Sequence, residues 1–371
     1  MSININISKK KKEELLAKIT IIKDFISKNS KVSRLMDDLL MIEDEIKNKK
    51  YGLVFEEYEE DIRNINEICL SEKKELSIKV AVDGKKNMLI EGENLEALIL
   101  LRQEFIEKIN IICIDPPYNT GNKSLKYNDY DYMNLEDEYD HSKWLSFMEK
   151  RLKISKDLLV HNGVLFVNID ETQISCLIFL CEQIFGEKNV EVLIWPKIDP
   201  KYDKNRVEKP IINVKMAHEY VILCYKNKTK THFNKMMKHP NHTGFSTPEQ
   251  PLFMESILNE LGTTSSAKDE LHEIFQTRDI NITPKPRKMI KEFVRVAGGS
   301  NAIILDFFAG SGTTGHAVMD LNKEDGGKRT FILVTNNENN ICREITYERL
   351  KRVIDKENYK ENVKYFKILS I

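Results

Sequence analysis

Residues 109–118 of this 371-residue chain, INIICIDPPY, contain its clearest indication of a fold. The first half of this stretch is a continuous apolar run rich in isoleucine, which is typical of a strand that is buried on both faces of a sheet. Two consecutive prolines then stop the strand, because proline fixes φ and has no N–H to continue a hydrogen-bond ladder. In an open α/β sheet, ligands bind just beyond the carboxyl ends of the strands. The sequence therefore predicts a buried strand that delivers Asp115-Pro116-Pro117-Tyr118 to a ligand-binding edge.

Further short apolar runs of the same character alternate with helical patterns along the chain. They are NMLIEGEN (87–94), GVLFVNID (163–170), EYVILCY (219–225), AIILDFFAG (302–310) and TFILVTNN (330–337). Buried strands that alternate with amphipathic segments are typical of a parallel sheet covered by helices on both sides. The pattern predicts a doubly wound, Rossmann-like α/β domain.

The four residues Asp115 to Tyr118 combine a carboxylate, rigid carbonyls and an aromatic ring. Such an edge fits a planar heterocycle that carries an amino group. Its two amino hydrogens would go to the Asp115 carboxylate and the Pro116 carbonyl, and Tyr118 would stack on the ring. The alternative is a simple strand-ending turn, since Asp and Pro are turn residues in any protein.

A second motif, DFFAGSGTTG at residues 306–315, follows another strand-like run and precedes a helical pattern. Gly310, Gly312 and Gly315 match G-x-G-x-x-G, in which glycines allow a tight turn and the following helix points N–H groups at a ligand. The motif lacks the Lys-Ser/Thr ending of a nucleoside-triphosphate loop. Glu338 follows the next strand and is placed to hold ribose hydroxyls. The loop alone fits either NAD or S-adenosylmethionine, because both carry an adenosine.

The two motifs together favour one chemistry. A nucleoside-cofactor loop and a clamp for an aromatic amine on one sheet fit methyl transfer to a nucleobase. A nicotinamide oxidoreductase is the more distant alternative, because hydride transfer would require a proton-handling His, Lys or Tyr, and no such constellation is evident in the sequence.

The sequence predicts four regions. They are an N-terminal helical region (1–77) with a helical hairpin over about 9–48, a catalytic half (78–196), a basic insert (197–280) and a cofactor-binding half (281–371). The apolar stripe of the hairpin either packs on its own domain or binds a partner chain or a second copy.

The stretch 197–240 contains eleven Lys and Arg against four Asp and Glu, in a chain whose formal net charge is −1. We expect it to contact DNA phosphates, whereas the alternative is a solvated lysine-rich surface. The candidate contacts are Lys197, Lys201, Lys204, Arg206, Lys215, Lys228 and Lys230.

The rest of the composition excludes several classes. The polar N-terminus does not resemble a signal peptide, and no apolar stretch is long enough to cross a bilayer, so we expect a cytoplasmic protein. The six cysteines form no C-x-x-C pair, and we expect reduced thiols and no metal site.

The chain resembles the amino-group DNA methyltransferases, specifically the β arrangement in which the catalytic motif precedes the cofactor loop. It is most similar to the modification subunits of Type III restriction–modification systems. An enzyme that methylates protein glutamine also uses an x-P-P-Y motif, but there the cofactor loop comes first. The segments that carry the resemblance are KKYGLVFEE (49–57), LIEGENLEALILL (89–101), IDPPYNTGN (114–122), NGVLFVNIDE (162–171), AHEYVILCY (217–225), TPKPRKMI (283–290) and ILDFFAGSGTTGHAV (304–318).

The resemblance implies S-adenosylmethionine as the cofactor and adenine, held by Asp115 to Tyr118, as the target base. Cytosine-modifying relatives tend to begin the motif with Ser instead of Asp. Glu93 or Asn94 would approach the adenosine end of the cofactor, although family members commonly carry Asp where this chain has Glu93. The residues implied for the methionine part are Asp306, Phe308, Ala309, Gly310, Gly312 and Thr313.

One departure from the family leaves a second hypothesis open. In the family, the segment before TPKP usually houses a longer target-recognition domain than residues 197–280 can form. The leading hypothesis is a self-sufficient adenine methyltransferase. The alternative is a modification-complex subunit that needs a partner chain for DNA target recognition.

Overall fold

The computed structural model describes the chain in ranges separated by gaps. The described residues are 7–28, 36, 39–43, 46, 55, 60, 62–80, 86–118, 140–198, 214, 216–233, 254–280 and 282–371. The chain divides into two compact units, Met1–Val54 and Phe55–Ile371.

The first unit contains the long helix α1 (Ile7–Ser27), and residues 39–43 are also helical. Lys23 of α1 forms an ion pair with Glu43, which links the two helical segments. Ile19 of α1 is buried, as an apolar stripe at helical spacing requires. Much of the predicted second helix of the hairpin lies outside the described residues.

In the described part of the second unit, nine strands form one mixed sheet. The strands are β1 (Ile68–Glu72), β2 (Lys86–Glu91), β3 (Ile109–Ile114), β4 (Leu159–Ile169), β5 (Val190–Pro196), β6 (His218–Tyr225), β7 (Ile303–Asp306), β8 (Thr330–Thr335) and β9 (Asn362–Ser370). Their order is β1-β9-β2-β8-β7-β3-β4-β6-β5, and β1 and β6 run antiparallel to their neighbours. All six apolar runs identified in the sequence are strands of this sheet.

The middle of the sheet contains the point at which the winding direction reverses. Along the chain, β4 follows β3 on one side, whereas β8 follows β7 on the other side. The two strands β3 and β7 are neighbours and pair in parallel. In doubly wound sheets the ligand crevice opens at this switch point. The predicted doubly wound, Rossmann-like fold is confirmed.

Helices cover the sheet, and β4 is continuously buried from Gly163 to Ile169, which requires cover on both faces. On one face, Phe293 stacks on Phe166 of β4 with ring centroids 4.2 Å apart. Among the described residues, no helix is both long and apolar enough to cross a membrane. The helices of this unit are α2 (Asn94–Phe105), α3 (Asp140–Leu158), α4 (Ile174–Phe185), α5 (Thr264–Phe275), α6 (Arg287–Ala297), α7 (Thr313–Asp325) and α8 (Glu348–Glu357), which a π-helical turn (Ile341–Tyr347) precedes.

The predicted helical region 1–77 needs correction, because it includes strand β1. This strand pairs antiparallel with β9 at the edge of the sheet. Only Ile68 among its five residues is buried, so the strand lacks the continuous apolar run by which the central strands can be identified.

The predicted insert, residues 197–280, contributes β6 and α5 to the framework. The chain leaves β5 and returns to β6 at adjacent points, because the Ile198 N–H donates to the Ala217 carbonyl at 3.3 Å. The segment between these two residues therefore begins and ends at the same place on the framework.

Candidate active site

A cavity of about 610 Å³ opens at the carboxyl ends of β3 and β7. This volume is within the range of small-molecule binding sites. Ile112 of β3 lies opposite Leu305 of β7, so the two loops that follow begin side by side. Asp115 and Asp306 both line the cavity. The two motifs, which are far apart in the sequence, therefore open onto one space.

Asp115 is partly buried and is held by two other side chains. The Tyr118 hydroxyl donates to Asp115 Oδ1 at 2.7 Å. Lys285 Nζ lies 3.1 Å from the same oxygen and donates to Tyr118 Oη at 2.6 Å. Burial raises the pKa of Asp115, and the Lys285 charge and the Tyr118 hydrogen bond oppose that rise.

Lys285 is anchored on its other side by Glu219, at 3.1 Å, and Lys197 lies 3.2 Å from the second oxygen of the same carboxylate. Burial works to raise the pKa of Glu219, but the two lysines hold that pKa below its usual range. Burial works to lower the pKa of Lys285, but Asp115 and Glu219 hold it above its usual range. Glu219 and Lys285 therefore favour each other's charged forms.

This cluster is one that sequence reasoning missed. Lys285 belongs to the TPKP segment before α6, Glu219 to β6, and Lys197 follows β5. Lys285 Nζ also lies 4.8 Å from the ring centroid of Tyr118 and 5.5 Å from that of Trp195. TPKP was used only as a segment of the family resemblance, and nothing in the sequence pairs its lysine with Asp115.

The proline pair is fixed from outside the motif. The Pro117 carbonyl accepts from Trp144 Nε1 at 2.8 Å, and the Tyr118 backbone carbonyl accepts from the Thr172 hydroxyl at 3.0 Å. Pro116 is buried, and Pro117 lines the cavity. Because the Pro117 carbonyl already accepts a hydrogen bond from Trp144, the proline carbonyl proposed to contact a ligand is that of Pro116.

The cofactor-loop carboxylate, Asp306, has a different set of neighbours. Its two oxygens accept from the Phe308 N–H at 3.0 Å and from the Thr314 hydroxyl at 2.6 Å. Burial raises the pKa of Asp306 to about 7, against these two hydrogen bonds, and the nearby charge of Asp115 adds to the rise. In the described part of the chain, no cation lies within ion-pair distance of it.

The glycine loop turns at two left-handed residues, Gly310 (φ 48°) and Gly312 (φ 77°), before α7 begins at Thr313. A Cβ at Gly312 would lie 3.2 Å from Thr346 Cγ2, so both the conformation and the space favour glycine there. The turn brings the start of α7 to the wall of the cavity.

Most of the predicted cofactor-binding residues line the cavity. Those that do are Asp306, Phe308, Ala309, Gly310, Thr313, Glu338, Glu93 and Asn94. Gly312 does not line the cavity but shapes the turn. At the far wall, Glu93 accepts from Asn336 Nδ2 at 3.3 Å, and Asn94 Oδ1 accepts from Arg151 Nε at 2.7 Å.

A buried arginine supports the glycine loop from behind. Arg349 donates through Nη1 to Thr313 Oγ1 at 2.8 Å and to Ser311 Oγ at 3.1 Å. Its Nη2 donates to Glu270 of α5 at 3.0 Å. No local sequence pattern indicates this contact, because Arg349 lies in an ordinary amphipathic helix.

Asn168 of β4 is a further cavity residue that sequence reasoning missed. Its Nδ2 donates to the Ile114 carbonyl at 3.0 Å. Its Oδ1 is buried and has no hydrogen-bond partner among the described residues. Buried acceptors are normally paired, so this oxygen is suited to accept from an N–H group of a ligand.

The predicted DNA-contacting residues are placed in different parts of the unit. Lys197 lies at the end of the strands that faces the cavity, whereas Lys228 and Lys230 follow β6 at the opposite end of the strands. Lys226, just before these two lysines, donates its N–H to the Gly163 carbonyl of β4. Gly163 lies six residues along the strand from Ile169, the end of β4 at the cavity, which corresponds to roughly 20 Å. Lys228 also pairs with Glu191 at 2.6 Å.

If Lys228 and Lys230 contact DNA, they therefore do so at a distance from the cavity. Their contact with DNA stays a prediction. The remaining candidates, Lys201, Lys204, Arg206 and Lys215, lie outside the described residues.

Residues 109–351, well over half of the chain, match the model of the N6_N4_Mtase family, described as DNA methylase. The chain belongs to this family. The matched range begins at β3 and ends in α8, so it includes both loops of the cavity. The resemblance to the amino-group DNA methyltransferases that the sequence indicated is confirmed by this match.

This DNA methylase is similar to curated proteins of two kinds. It is 28% identical to the Type III restriction-modification enzyme StyLTI Mod subunit of Salmonella typhimurium, over 73% of this chain and 57% of that protein. It is 25% identical to the EcoPI Mod subunit of Escherichia phage P1, over 69% and 58%. It is 24% identical to the Type II methyltransferase M.KpnI of Klebsiella pneumoniae, over 73% and 85%. The chain thus spans less than two thirds of the length of these two Type III relatives.

Solved structures of DNA methyltransferases also match the methylase. The complex of M1.HpyAVI with SAM is 18% identical, with a TM-score of 0.43, over 72% of this chain and all of that chain. The cytosine-N4-specific PvuII DNA methyltransferase is 16% identical, with a TM-score of 0.47, over 73% and 92%.

Proposed function

We propose that this DNA methylase transfers a methyl group from S-adenosylmethionine to the exocyclic amino group of an adenine that has been flipped out of DNA. The observation that carries the proposal is the meeting of an acceptor loop and a glycine loop at one cavity, on the adjacent strands β3 and β7. Neither loop alone selects this chemistry.

The glycine-loop half of the cavity fits the cofactor. Asp306 offers a carboxylate to a cationic amino acid, and the left-handed Gly310 leaves the backbone open to close approach. Glu338 and Glu93 offer acceptors for ribose hydroxyls at the other end of the cavity. When bound, S-adenosylmethionine supplies a methyl group that its sulfonium has already activated, so no metal or prior base is required.

The other half of the cavity is suited to an amino-bearing base. The Asp115 carboxylate and the Pro116 carbonyl would accept the two amino hydrogens. This contact draws the nitrogen toward tetrahedral geometry and localises its lone pair, which otherwise delocalises into the ring. Most of the rate acceleration would then come from positioning and electrostatic complementarity.

Base flipping has a cost that Tyr118 can offset. Extruding a base from a duplex costs a few kcal/mol, and stacking on an aromatic ring returns about 1–3 kcal/mol. After methyl transfer, the surplus amino proton would pass to Asp115 or to water. The family resemblance supports adenine over cytosine as the target base, because the motif begins with Asp and cytosine-modifying relatives tend to begin it with Ser.

Target recognition is proposed to require more than this chain. The described part of residues 197–280 includes the framework elements β6 and α5, which leaves less of this segment for a target-recognition domain. A partner chain or a second copy would dock through the N-terminal helices, where Ile21 and Phe25 of α1 are exposed. The substrate, DNA, is consistent with a cytoplasmic site of action.

One assay tests the proposal. The purified chain is incubated with plasmid DNA and labelled S-adenosylmethionine, with and without candidate partner chains, and the nucleosides are analysed. Methyladenine from the chain alone supports a self-sufficient enzyme, and methyladenine only with a partner supports the complex. Methylcytosine alone, or no label under any condition, contradicts the adenine proposal, and the Asp115→Ala variant is the matched control.

A further inference from the structure

We propose that Lys285 is a positioning residue for the methylation reaction. Its ammonium group, anchored on Glu219, fixes the Tyr118 hydroxyl and one oxygen of Asp115. The aromatic ring and the second carboxylate oxygen are thereby presented to the target base. The proposal rests on the proposed function, because it assigns a task within that same site.

The tyrosine hydroxyl is the first step of the argument. Tyr118 Oη accepts from Lys285 at 2.6 Å and donates to Asp115 at 2.7 Å. A phenol has a single proton to donate, and the shorter of its two possible donations goes to Asp115, because Glu219 Oε2 lies farther away, at 3.3 Å. Lys285, Asp115 and Glu219 therefore hold the far end of the ring, and the stacking face has a fixed direction before a base arrives.

The aspartate is the second step. Both Tyr118 and Lys285 contact Oδ1 of Asp115. This arrangement leaves Oδ2 without a partner in the described part of the chain. An ammonium at 3.1 Å also favours the ionised carboxylate, which accepts hydrogen bonds only and has none to donate. Lys285 thus selects both the oxygen and the charge state that an amino group needs.

The anchor is the third step. By side-chain type, the two cations Lys285 and Lys197 match the two carboxylates Asp115 and Glu219. An unbalanced ammonium group would oppose the positive charge that develops on the target base. Glu219 cancels this charge and holds the lysine from behind.

The indole of Trp195 also contacts the ammonium group, and its own Nε1 donates to the Gly262 carbonyl at 2.9 Å. The Lys285 side chain is consequently almost fully buried, at 9% exposure, although it carries a charge. A buried charged side chain with this many partners has little freedom to move, which suits a positioning role.

The groups that face Asp115 come from several elements and bear on its titration. They are Tyr118 of its own loop, Lys285 before α6, Glu219 of β6 and, across the cavity, Asp306 of β7. Lys285 is the only cation among them. Its removal leaves Asp115 facing the Tyr118 hydroxyl and two carboxylates with no cation among these groups, so the carboxyl will bind a proton at higher pH.

The test compares Lys285→Met, which removes the charge at similar volume, with Lys285→Arg, which keeps it. We expect Lys285→Met to lower kcat for plasmid methylation about 100-fold, a loss typical of a displaced electrostatic contact in an active site. The acidic limb of its kcat–pH profile should move to higher pH, whereas Lys285→Arg should retain the wild-type limb. Lys288→Met, an exposed lysine on α6, is the matched control and should behave as wild type.

A second readout does not depend on activity. Carbon-13 NMR of labelled aspartate carboxyls, with Asp115 assigned by its loss in Asp115→Asn, should show a raised Asp115 pKa in Lys285→Met only. An unchanged Asp115 titration with a wild-type pH profile overturns the proposal, even if the variant is less stable. If the wild-type chain yields no methylated nucleoside but the NMR shift is present, the proposed function fails and the positioning contact stands.

Discussion

Asp115 and Asp306 occupy equivalent positions, at the carboxyl ends of two neighbouring strands, yet their surroundings differ. Asp115 has an ammonium group at 3.1 Å, whereas the donors to Asp306 among the described residues are neutral, the Phe308 N–H and the Thr314 hydroxyl. Burial raises the pKa of both carboxyls, to about 7 in Asp306. Lys285 therefore shifts Asp115 toward its ionised form, whereas Asp306 has no such cation beside it in the described part of the chain.

The difference suits the two proposed tasks. The base-side carboxylate must be ionised when a neutral adenine enters, because the adenine brings no charge of its own. The cofactor-side carboxylate, Asp306, does not need to be ionised beforehand, because a cationic cofactor favours its ionised form on binding. Mutations on each side should therefore have distinct effects on catalysis and on cofactor affinity.

The largest effect is expected from Asp115→Asn. The amide is nearly isosteric but has no charge, so it should lower kcat by about 1000-fold or more, at the upper end for a lost electrostatic contact in an active site. The affinity for S-adenosylmethionine, measured by calorimetry, should change less than about twofold. A comparable loss of cofactor affinity would show that the two sides are not separate.

Asp306→Asn should affect cofactor binding instead. Loss of a charge-assisted contact should weaken binding about 50-fold at pH 8, in line with 1.5–3 kcal/mol for hydrogen bonds to charged groups. In the wild type, the Asp306 carboxyl is mostly protonated at pH 6 and ionised at pH 8, so binding should tighten about tenfold as pH rises through 7.

Calorimetric titrations at pH 6, 7 and 8 measure both effects. The Asp306→Asn variant should lose the pH dependence around pH 7. If it keeps the wild-type slope, the titrating group is another residue.

Tyr118 separates stacking from hydrogen bonding. Tyr118→Ala should lower kcat/KM about tenfold through the loss of about 1–3 kcal/mol of stacking. Tyr118→Phe keeps the ring and loses only the link to Asp115 and Lys285, so its loss should be smaller. Equal losses in the two variants would indicate that the hydroxyl network, and not the aromatic face, is what matters.

The smallest effect is expected from the paired substitution Lys228→Gln and Lys230→Gln. These residues follow β6 at the end of the strands away from the cavity, so loss of their predicted phosphate contacts should lower DNA affinity at low salt only about threefold and reduce the slope of affinity against salt, while kcat stays the same. Lys197→Gln is the comparison variant at the cavity end of the strands. An unchanged salt slope in the paired variant would contradict a DNA contact at the far end of the strands.

The central strands and both loops could be predicted because their signals are local. A continuous apolar run ended by Pro116 and Pro117, or by a glycine turn, marks a buried strand end without reference to the rest of the chain. The meeting of the two loops followed from the general geometry of doubly wound sheets. Edge strands such as β1 lack this signal, because only one of its side chains is buried.

The charged cluster could not be predicted because its members interact only after folding. Lys285 and Glu219 are 66 residues apart and lie in segments with unremarkable local patterns. The reversal of β6 likewise separates Lys197 from Lys228, although both belong to one basic stretch of sequence. The net charge of residues 197–240 therefore does not predict the charge of one surface, because the β5–β6 hairpin places its lysines at opposite ends of the strands.

The hydrogen bond between the Ile198 N–H and the Ala217 carbonyl has a consequence for exchange of segments between homologues. A stretch whose two ends meet on a rigid support can be replaced by one of another length, since doubling a loop costs only about 0.6 kcal/mol of closure entropy. Chimeras joined at these two residues should therefore keep the sheet intact, provided that Lys197 and Glu219, which lie next to the two junctions and belong to the active-site cluster, are retained.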